Sequence, residues 1–368
     1  MERRVPCVLM RGGTSRGALL LASDLPTGHA ARDAVLMRIM GSPDPLQLDG
    51  LGGGKSVTSK TAIVRPSSEP GVDVEYLFAQ VKVHEARVDT TPNCGNMLAA
   101  VGPYAIEAGL VRATDPETVV RILNVNTRTL VEAVVQTPGG CVRYDGATLI
   151  DGVREPAAPI KLTFMDAVGG VTGRLLPTGS VVDVVDGIEV SCIDMAMPVV
   201  IMAAEALGKT GAETPEELEA DRALFARVAA IRLEAGRRMG MGDVSGSVVP
   251  KPVLVSAPRH GGSITSRYFT PLTCHRSHAA TGALAVATAA VMPGSVAGRY
   301  LDARSVRDGV VSVEHPAGRI EVSLDAAGPT GQRPVHRASL VRTARRIFEG
   351  SVFVPECLFA EPHAAAQV

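Results

Sequence analysis

Tryptophan is absent from this chain of 368 residues, and five tyrosines and seven phenylalanines bring the aromatic share to only 3%. A core for a chain of this length must therefore be built from Ala, Val, Leu, Ile and Met. An excess of one charge is lacking too: 37 basic residues stand against 38 acidic ones, with no block of like sign. That balance argues against nucleic acid or a membrane surface as the main partner. The six cysteines, Cys7, Cys94, Cys141, Cys192, Cys274 and Cys357, include no CxxC pair, so a disulfide framework is not expected. No apolar run reaches the length of a membrane span, and Met1–Cys7 lacks the apolar stretch of a signal peptide. The expectation is a cytoplasmic protein with free thiols.

What is present is a series of short β-branched runs bounded by Gly, Pro and Asp: Val5–Met10, Thr61–Val64, Val72–Phe78, Thr129–Gln136, Val181–Val185, Val253–Ser256, Gly309–Val313 and Arg319–Ser323. These read as strands joined by turns. Two Ala-rich helices interrupt them, one opening near Gly95 and kinked at Gly102-Pro103, the other opening near Gly282. A third helix is signalled by Thr214-Pro-Glu-Glu217, a capping box with Pro at the first helical position. Leu218, Phe225, Val228 and Ile231 give that helix an apolar side. The halves share one design. "CGNMLAAVGPYAI" and "TGALAVATAAVM" each place a thiol or small polar residue and a glycine before an apolar helix. Earlier in each half a strand leads into a Met-containing turn, "VLMRGGTS" and "CIDMAMPV". The chain reads as two similar α+β domains facing each other, 1–180 and 181–368, with the last strands free to cross back to the first domain.

Several motifs invite functional readings that fail on spacing. "GLGGGKS" (50–56) misses the phosphate-loop pattern, because its first glycine would fall on Asp49 and a strand-like run follows. Three successive glycines better suit a loop of N–H groups that holds a carboxylate. "GTSRG" (13–17) matches the nucleophile-elbow pattern, but "ALLLASDLP" reads as a second strand where a helix is required. In "CHRSH" (274–278), His275 and His278 would share one helical face. No second ligand group accompanies them, so a polar pocket wall is preferred to a metal site.

Two residues carry chemistry. Cys94 stands at the threshold of an apolar helix, where the partial positive field favours thiolate. The amides of Gly95 and Asn96 would there be free to hold a carboxylate or an enolate oxygen. A small residue filling space is the competing interpretation. Lys60 lies in a β-branched stretch, where burial would lower its pKa and make it a competent base. An exposed strand lysine is the alternative.

Beyond these two residues, the longer motifs carry a family resemblance. "MRGGTSRGALLL", "MGSPDPLQLDGLGGGKSVTSK", "DVEYLFAQV", "VDTTPNCGN", "CIDMAMPVV", "MGDVSGSVVPKPVLVSAP" and "LVRTARRIF", in order from about Val5 to Val354, resemble the PrpF-type isomerases. Length and "CHRSHAATGA" are closer to 4-oxalomesaconate tautomerases than to 2-methylaconitate isomerases, and closest to a branch with no assigned substrate. The resemblance implies a diaminopimelate epimerase-like fold, two pseudo-symmetric domains each with a curved, mostly antiparallel sheet wrapped on a central helix.

It also implies a cofactor-free, metal-free isomerase that shifts a proton along an unsaturated di- or tricarboxylate. 4-Oxalomesaconate leads as substrate, with a role in aromatic-compound catabolism. A 2-methylaconitate isomerase and a tricarboxylate-binding protein stay open, and a homodimer is the candidate assembly. Residue by residue, the family's TSK lysine is Lys60 and its NCGN cysteine is Cys94. Asn93, Gly95 and Asn96 would line the substrate. Arg11, Gly13, Thr14 and Ser15 of the MRGGTS turn would contact carboxylates. The glycine loop (Gly53, Gly54), Ser59, Met197, Ser277 and the second helix start (Thr281, Gly282) complete the expected site. Thr281 aligns with Cys94 between the halves, which argues against two-thiol racemisation. Where the family's tautomerases often read GGAD, this chain has Gly53-Gly54-Lys55.

Overall fold

The computed structural model describes residues 1–91, 93–165, 167–270, 273–325 and 337–359. In the first half the elements are β1 (Glu2–Gly12), β2 (Ser15–Leu21), α1 (His29–Met40), β3 (Lys60–Pro66), β4 (Val74–Val81), β5 (Val88–Asp89), α2 (Gly95–Glu107), β6 (Glu117–Asn124), β7 (Thr129–Gln136) and β8 (Ile160–Met165). In the second they are β9 (Asp183–Val185), β10 (Ile188–Asp194), β11 (Pro198–Ala203), α3 (Pro215–Ala220), α4 (Arg222–Arg238), β12 (Lys251–Ser256), β13 (Ile264–Thr270), β14 (Thr273–Cys274), α5 (Ala280–Val291), β15 (Val310–His315), β16 (Gly318–Asp325), β17 (Arg337–Arg342) and β18 (Ala344–Pro355).

The pairing repeats itself. β1-β2-β3-β4-β6-β7-β8 is matched by β10-β11-β12-β13-β15-β16-β17, with parallel junctions at β2–β3 and β4–β6 and at β11–β12 and β13–β15. A parallel junction needs a crossover. At β2–β3 and β11–β12 the crossovers carry α1 and α3–α4. At β4–β6 and β13–β15 they carry α2 and α5. β8 pairs with β17, and β18 returns to pair with β1, so the two half-sheets are continuous.

The central helices are apolar on every side, which suits a helix enclosed by its own sheet. Gly95 to Ile106 of α2 and Ala280 to Ala290 of α5 are all buried. Their small side chains let strands approach closely: a Cβ on Gly102 would lie 2.9 Å from Val135. Pro103 falls within α2, which continues to Glu107. α1 covers the outer face of the first half-sheet, and α3–α4 that of the second. The Thr214 capping box is formed, but the helix it opens ends at Asp221, where the sequence predicts continuation. Asp221 accepts from the Leu224 N–H and from Lys209 Nζ, so it caps a second helix instead of extending the first. Among the described residues no helix is long and apolar enough to cross a membrane.

Candidate active site

The starts of α2 and α5 meet between the halves. A Cβ on Gly95 would stand 3.0 Å from the Ala280 Cβ and 3.3 Å from Thr281, so only a small residue permits this contact. The Leu98 N–H closes onto the Cys94 carbonyl and the Ala283 N–H onto Ala279. The earlier amides of each helix lack intrahelical partners and are available to an anion. Cys94 is the N-cap of α2. The matching position in α5 is Ala279, not Thr281. Gly95 lies six residues past the end of β5 and Ala280 six past the end of β14, so the backbone sets the correspondence two residues away from the Cys-Gly and Thr-Gly pattern. The second half still offers no thiol there.

A cavity of about 410 Å³ opens at this junction, a size that suits small-molecule ligands. Among the described residues its charged lining is unbalanced: Lys60, Lys82, Arg87 and Lys251 stand against the single carboxylate of Glu85. Lys60 is 9% exposed. Its Nζ donates to Gln80 Oε1 at 2.5 Å and lies 5.0 Å from the Phe78 ring centre. Burial pushes the Lys60 ammonium below its ordinary value, partly opposed by Cys94 and reinforced by Lys82. Gln80 cannot turn away, because its Nε2 donates to the Ser56 and Ser59 carbonyls at 3.1 and 2.8 Å. Asn93 also lines the cavity. Its Oδ1 accepts from Asn124 Nδ2, and among the described residues its own Nδ2 has no partner.

Known proteins share this fold and much of the sequence behind it. The family model described as PrpF protein matches residues 2–355. The chain belongs to the PrpF family. It is 55% identical over 353 residues to "Putative isomerase YbhH" of Escherichia coli K12, covering 96% of this chain and 100% of that one. It is 50% identical over 355 residues to the 4-oxalomesaconate tautomerase of Pseudomonas putida KT2440, covering 96% and 97%. A solved structure of methylitaconate-delta-isomerase superposes with a TM-score of 0.81 at 37% identity, covering 98% of each chain. The architecture is diaminopimelate epimerase-like, and the chain is an enzyme of the isomerase class.

Of the PrpF-derived site residues, Lys60, Cys94, Ser15, Asn93, Gly95, Asn96, Met197 and Thr281 line the cavity. Others stand behind it. The Arg11 guanidinium donates to the Gly13 carbonyl and to Thr343, so it is already engaged within the protein. Gly13 allows the β1–β2 turn to rest against Asn96, and Thr14 Oγ1 accepts from Asn96 Nδ2 at 3.0 Å. The Gly54 N–H donates to Gln47 Oε1, while Gln47 Nε2 donates to the buried Ser59 hydroxyl; Gly53 packs beside Arg16 and Thr58. The glycine loop thus wraps Gln47. It leads into a single 3-10 turn and then β3, with no helix of the kind a phosphate loop needs. Ser15 opens a strand, so the nucleophile-elbow geometry is absent as well.

Gly282 lies under Tyr268, where a Cβ would come within 2.2 Å of the ring. Ser277 donates its N–H to His275 Nδ1 at 3.0 Å. His275 and His278 do not share a helical face, because they lie ahead of α5 in irregular backbone. His278 is bonded to Ser266 Oγ and the Ala279 carbonyl. Four lining groups are not among the residues expected from the sequence: Lys251, Gln80, Tyr268 and the loop Ser245–Val248, although all but Tyr268 fall within motifs that carry the resemblance.

Proposed function

We propose that this protein moves a proton within an unsaturated di- or tricarboxylic acid, without a cofactor, using Lys60 as the base. The observation that carries the reading is the cavity itself: among the described residues Lys82, Arg87 and Lys251 against the Glu85 carboxylate, around Lys60, whose ammonium form is disfavoured. Carboxylates bring the compensating charge. The facing helix starts supply fixed N–H dipoles to an enolate oxygen, which stabilises the dienolate as it forms. Neutral Lys60 removes a proton from the allylic or α carbon, and the proton returns at the other end of the conjugated system. Cys94, at the α2 start, helps shape the anion site. The 50% identity to a 4-oxalomesaconate tautomerase over nearly the whole chain supports 4-oxalomesaconate as the first substrate to try.

The test is proton NMR of the purified protein in D2O with 4-oxalomesaconate and, separately, with 2-methylaconitate. Conversion or deuterium uptake with the first is expected. Turnover of the second alone would move the assignment to that acid. Binding of either without exchange would point to a carboxylate-binding protein and overturn the reading.

A further inference from the structure

The two halves each put a polar pair behind a helix start. Asn93 directly precedes Cys94, the N-cap of α2, and His278 directly precedes Ala279, the N-cap of α5. Asn124 is the last residue of β6 and His315 the last of β15, strands that hold the same place in the repeat. In the second half the helix-start residue is fully engaged. His278 Nδ1 faces the Ala279 carbonyl at 2.9 Å and so carries the proton, which leaves Nε2 to accept from the Ser266 hydroxyl at 3.0 Å.

The first half differs. The backbone N–H groups of Asn126 and Thr127 donate to one atom of the Asn124 amide, at 2.9 and 3.3 Å. A backbone N–H can only donate, so that atom is Oδ1, and Asn124 presents its Nδ2 to Asn93. The Asn93 atom that meets it at 2.5 Å is then Oδ1. Asn93 Nδ2 is thereby turned away, and among the described residues this buried group finds no acceptor. The turn that does this is held at several points. Asn126 Oδ1 accepts from the Phe78 N–H, and its Nδ2 donates to the Phe78 and Thr90 carbonyls at 2.8 and 2.6 Å. The Val125 N–H donates to the Tyr76 carbonyl. Residues 124–127 therefore tie β4 to the loop that carries Asn93. A buried donor left open on a residue that borders a cavity is costly unless an occupant supplies the acceptor.

We infer that Asn124 is a positioning residue: it dictates the polarity of the Asn93 amide, so that Asn93 gives a hydrogen bond to a carboxylate oxygen of the substrate. This rests on the carboxylate site of the reading above. Asn124 is fully buried and is not part of the cavity lining, so it acts through Asn93. Asn124→Asp puts an acceptor opposite Asn93. The Asn93 amide then turns over, gives its Nδ2 to the new carboxylate and shows its Oδ1 to the substrate. A donor becomes an acceptor facing an anion.

The probe is tricarballylate, a saturated tricarboxylate, titrated by calorimetry into wild type, Asn93→Ala, Asn124→Asp and the double variant. Thermal melts establish folding, and KM and kcat are measured on the acid that the wild type converts. Each single variant is expected to weaken Kd and raise KM by about tenfold or more, with kcat little changed. The double variant should bind as Asn93→Ala does, because no amide is left to turn. If it is weaker than Asn93→Ala by the full Asn124→Asp factor, the new charge acts directly and the proposal is wrong. Asn93→Ala leaves the turn intact, so wild-type affinity in that variant overturns the proposal even if Asn124→Asp does not fold. A wild type that binds tricarballylate but converts no unsaturated acid overturns the proton-shift reading alone, and the Kd series decides this one. A wild type that binds no tricarboxylate overturns both.

Discussion

Lys60 shows how one residue gains a function from its surroundings. A lysine in a β-branched run is an ordinary strand residue until its amine is enclosed, and enclosure disfavours charge. Lys60→Ala is therefore expected to lower kcat by about 10³-fold while leaving the melting temperature unchanged or raised, because a buried amine is costly to fold around. A large drop in melting temperature would show a structural role instead. Gln80 offers a finer test. Its Oε1 accepts from Lys60 while its Nε2 is tied to two carbonyls, so Gln80→Glu places a carboxylate beside the ammonium. That raises the Lys60 pKa, and the base needs the neutral amine. The rising limb of kcat/KM should therefore move to higher pH, and at a fixed pH on that limb activity should fall about tenfold for each pH unit the limb travels. An unmoved limb would mean that another group titrates there. Lys60 was legible in the sequence because it interrupts an apolar run. Lys251 interrupts "VVPKPVLVS" in the same manner, but flanking prolines disguise the strand it begins.

Elements were legible where pattern and partner coincide. Thr129–Gln136 alternates cleanly and is a strand with those bounds, since one face meets α2 and the other is more open. β13 was not. Its Ser, Thr and Arg residues leave no apolar run to mark it, yet six of its seven residues are buried. Thr265 is satisfied by Glu314, Ser266 by His278 and Arg267 by the Glu213 carbonyl, residues 12 to 54 positions away. No local signal announces such partners. β18 escaped for a different reason: only two of its twelve residues are buried, and among the described residues it pairs with β1 alone. The tightest contact between elements at the site is Gly282 of α5 beneath Tyr268, whose hydroxyl is held on Met197 Sδ at 3.0 Å. Gly282→Ala puts a methyl into that ring. The ring cannot move without breaking its contact, so a loss of about 1–3 kcal/mol or more is expected, read as a lower denaturation midpoint and a weaker KM. Unchanged stability would mean that α5 shifts freely.

At the scale of the molecule, the candidate site lies on the seam between two repeats. Comparing the halves exposed the two central helices, because both are Ala-rich and follow a glycine or small residue. It did not expose the seam, which depends on the register of β8 with β17 and of β1 with β18. The seam carries its own titration. His278, ahead of α5, and His315, at the end of β15, have rings 6.2 Å apart. Arg342 at the end of β17 is buried near both, and Asn96 of α2 donates to the His278 carbonyl. Burial, with neighbouring histidine, Arg342 and Arg267 charge, lowers His278 and His315 each to about 3. In the unfolded chain a histidine titrates near 6.5. The folded value is the lower one, so the unfolded chain binds the proton first. Stability is then whole above about pH 6.5 and declines as pH falls toward 3. At pH 5 each buried ring costs about 2 kcal/mol. The denaturant midpoint should therefore fall steeply between pH 6.5 and 5. His278→Gln, which keeps an amide beside Ser266, should reduce that slope by about one proton even where it weakens the fold at pH 7. An identical slope in the variant would place the acid sensitivity elsewhere and detach the seam from it.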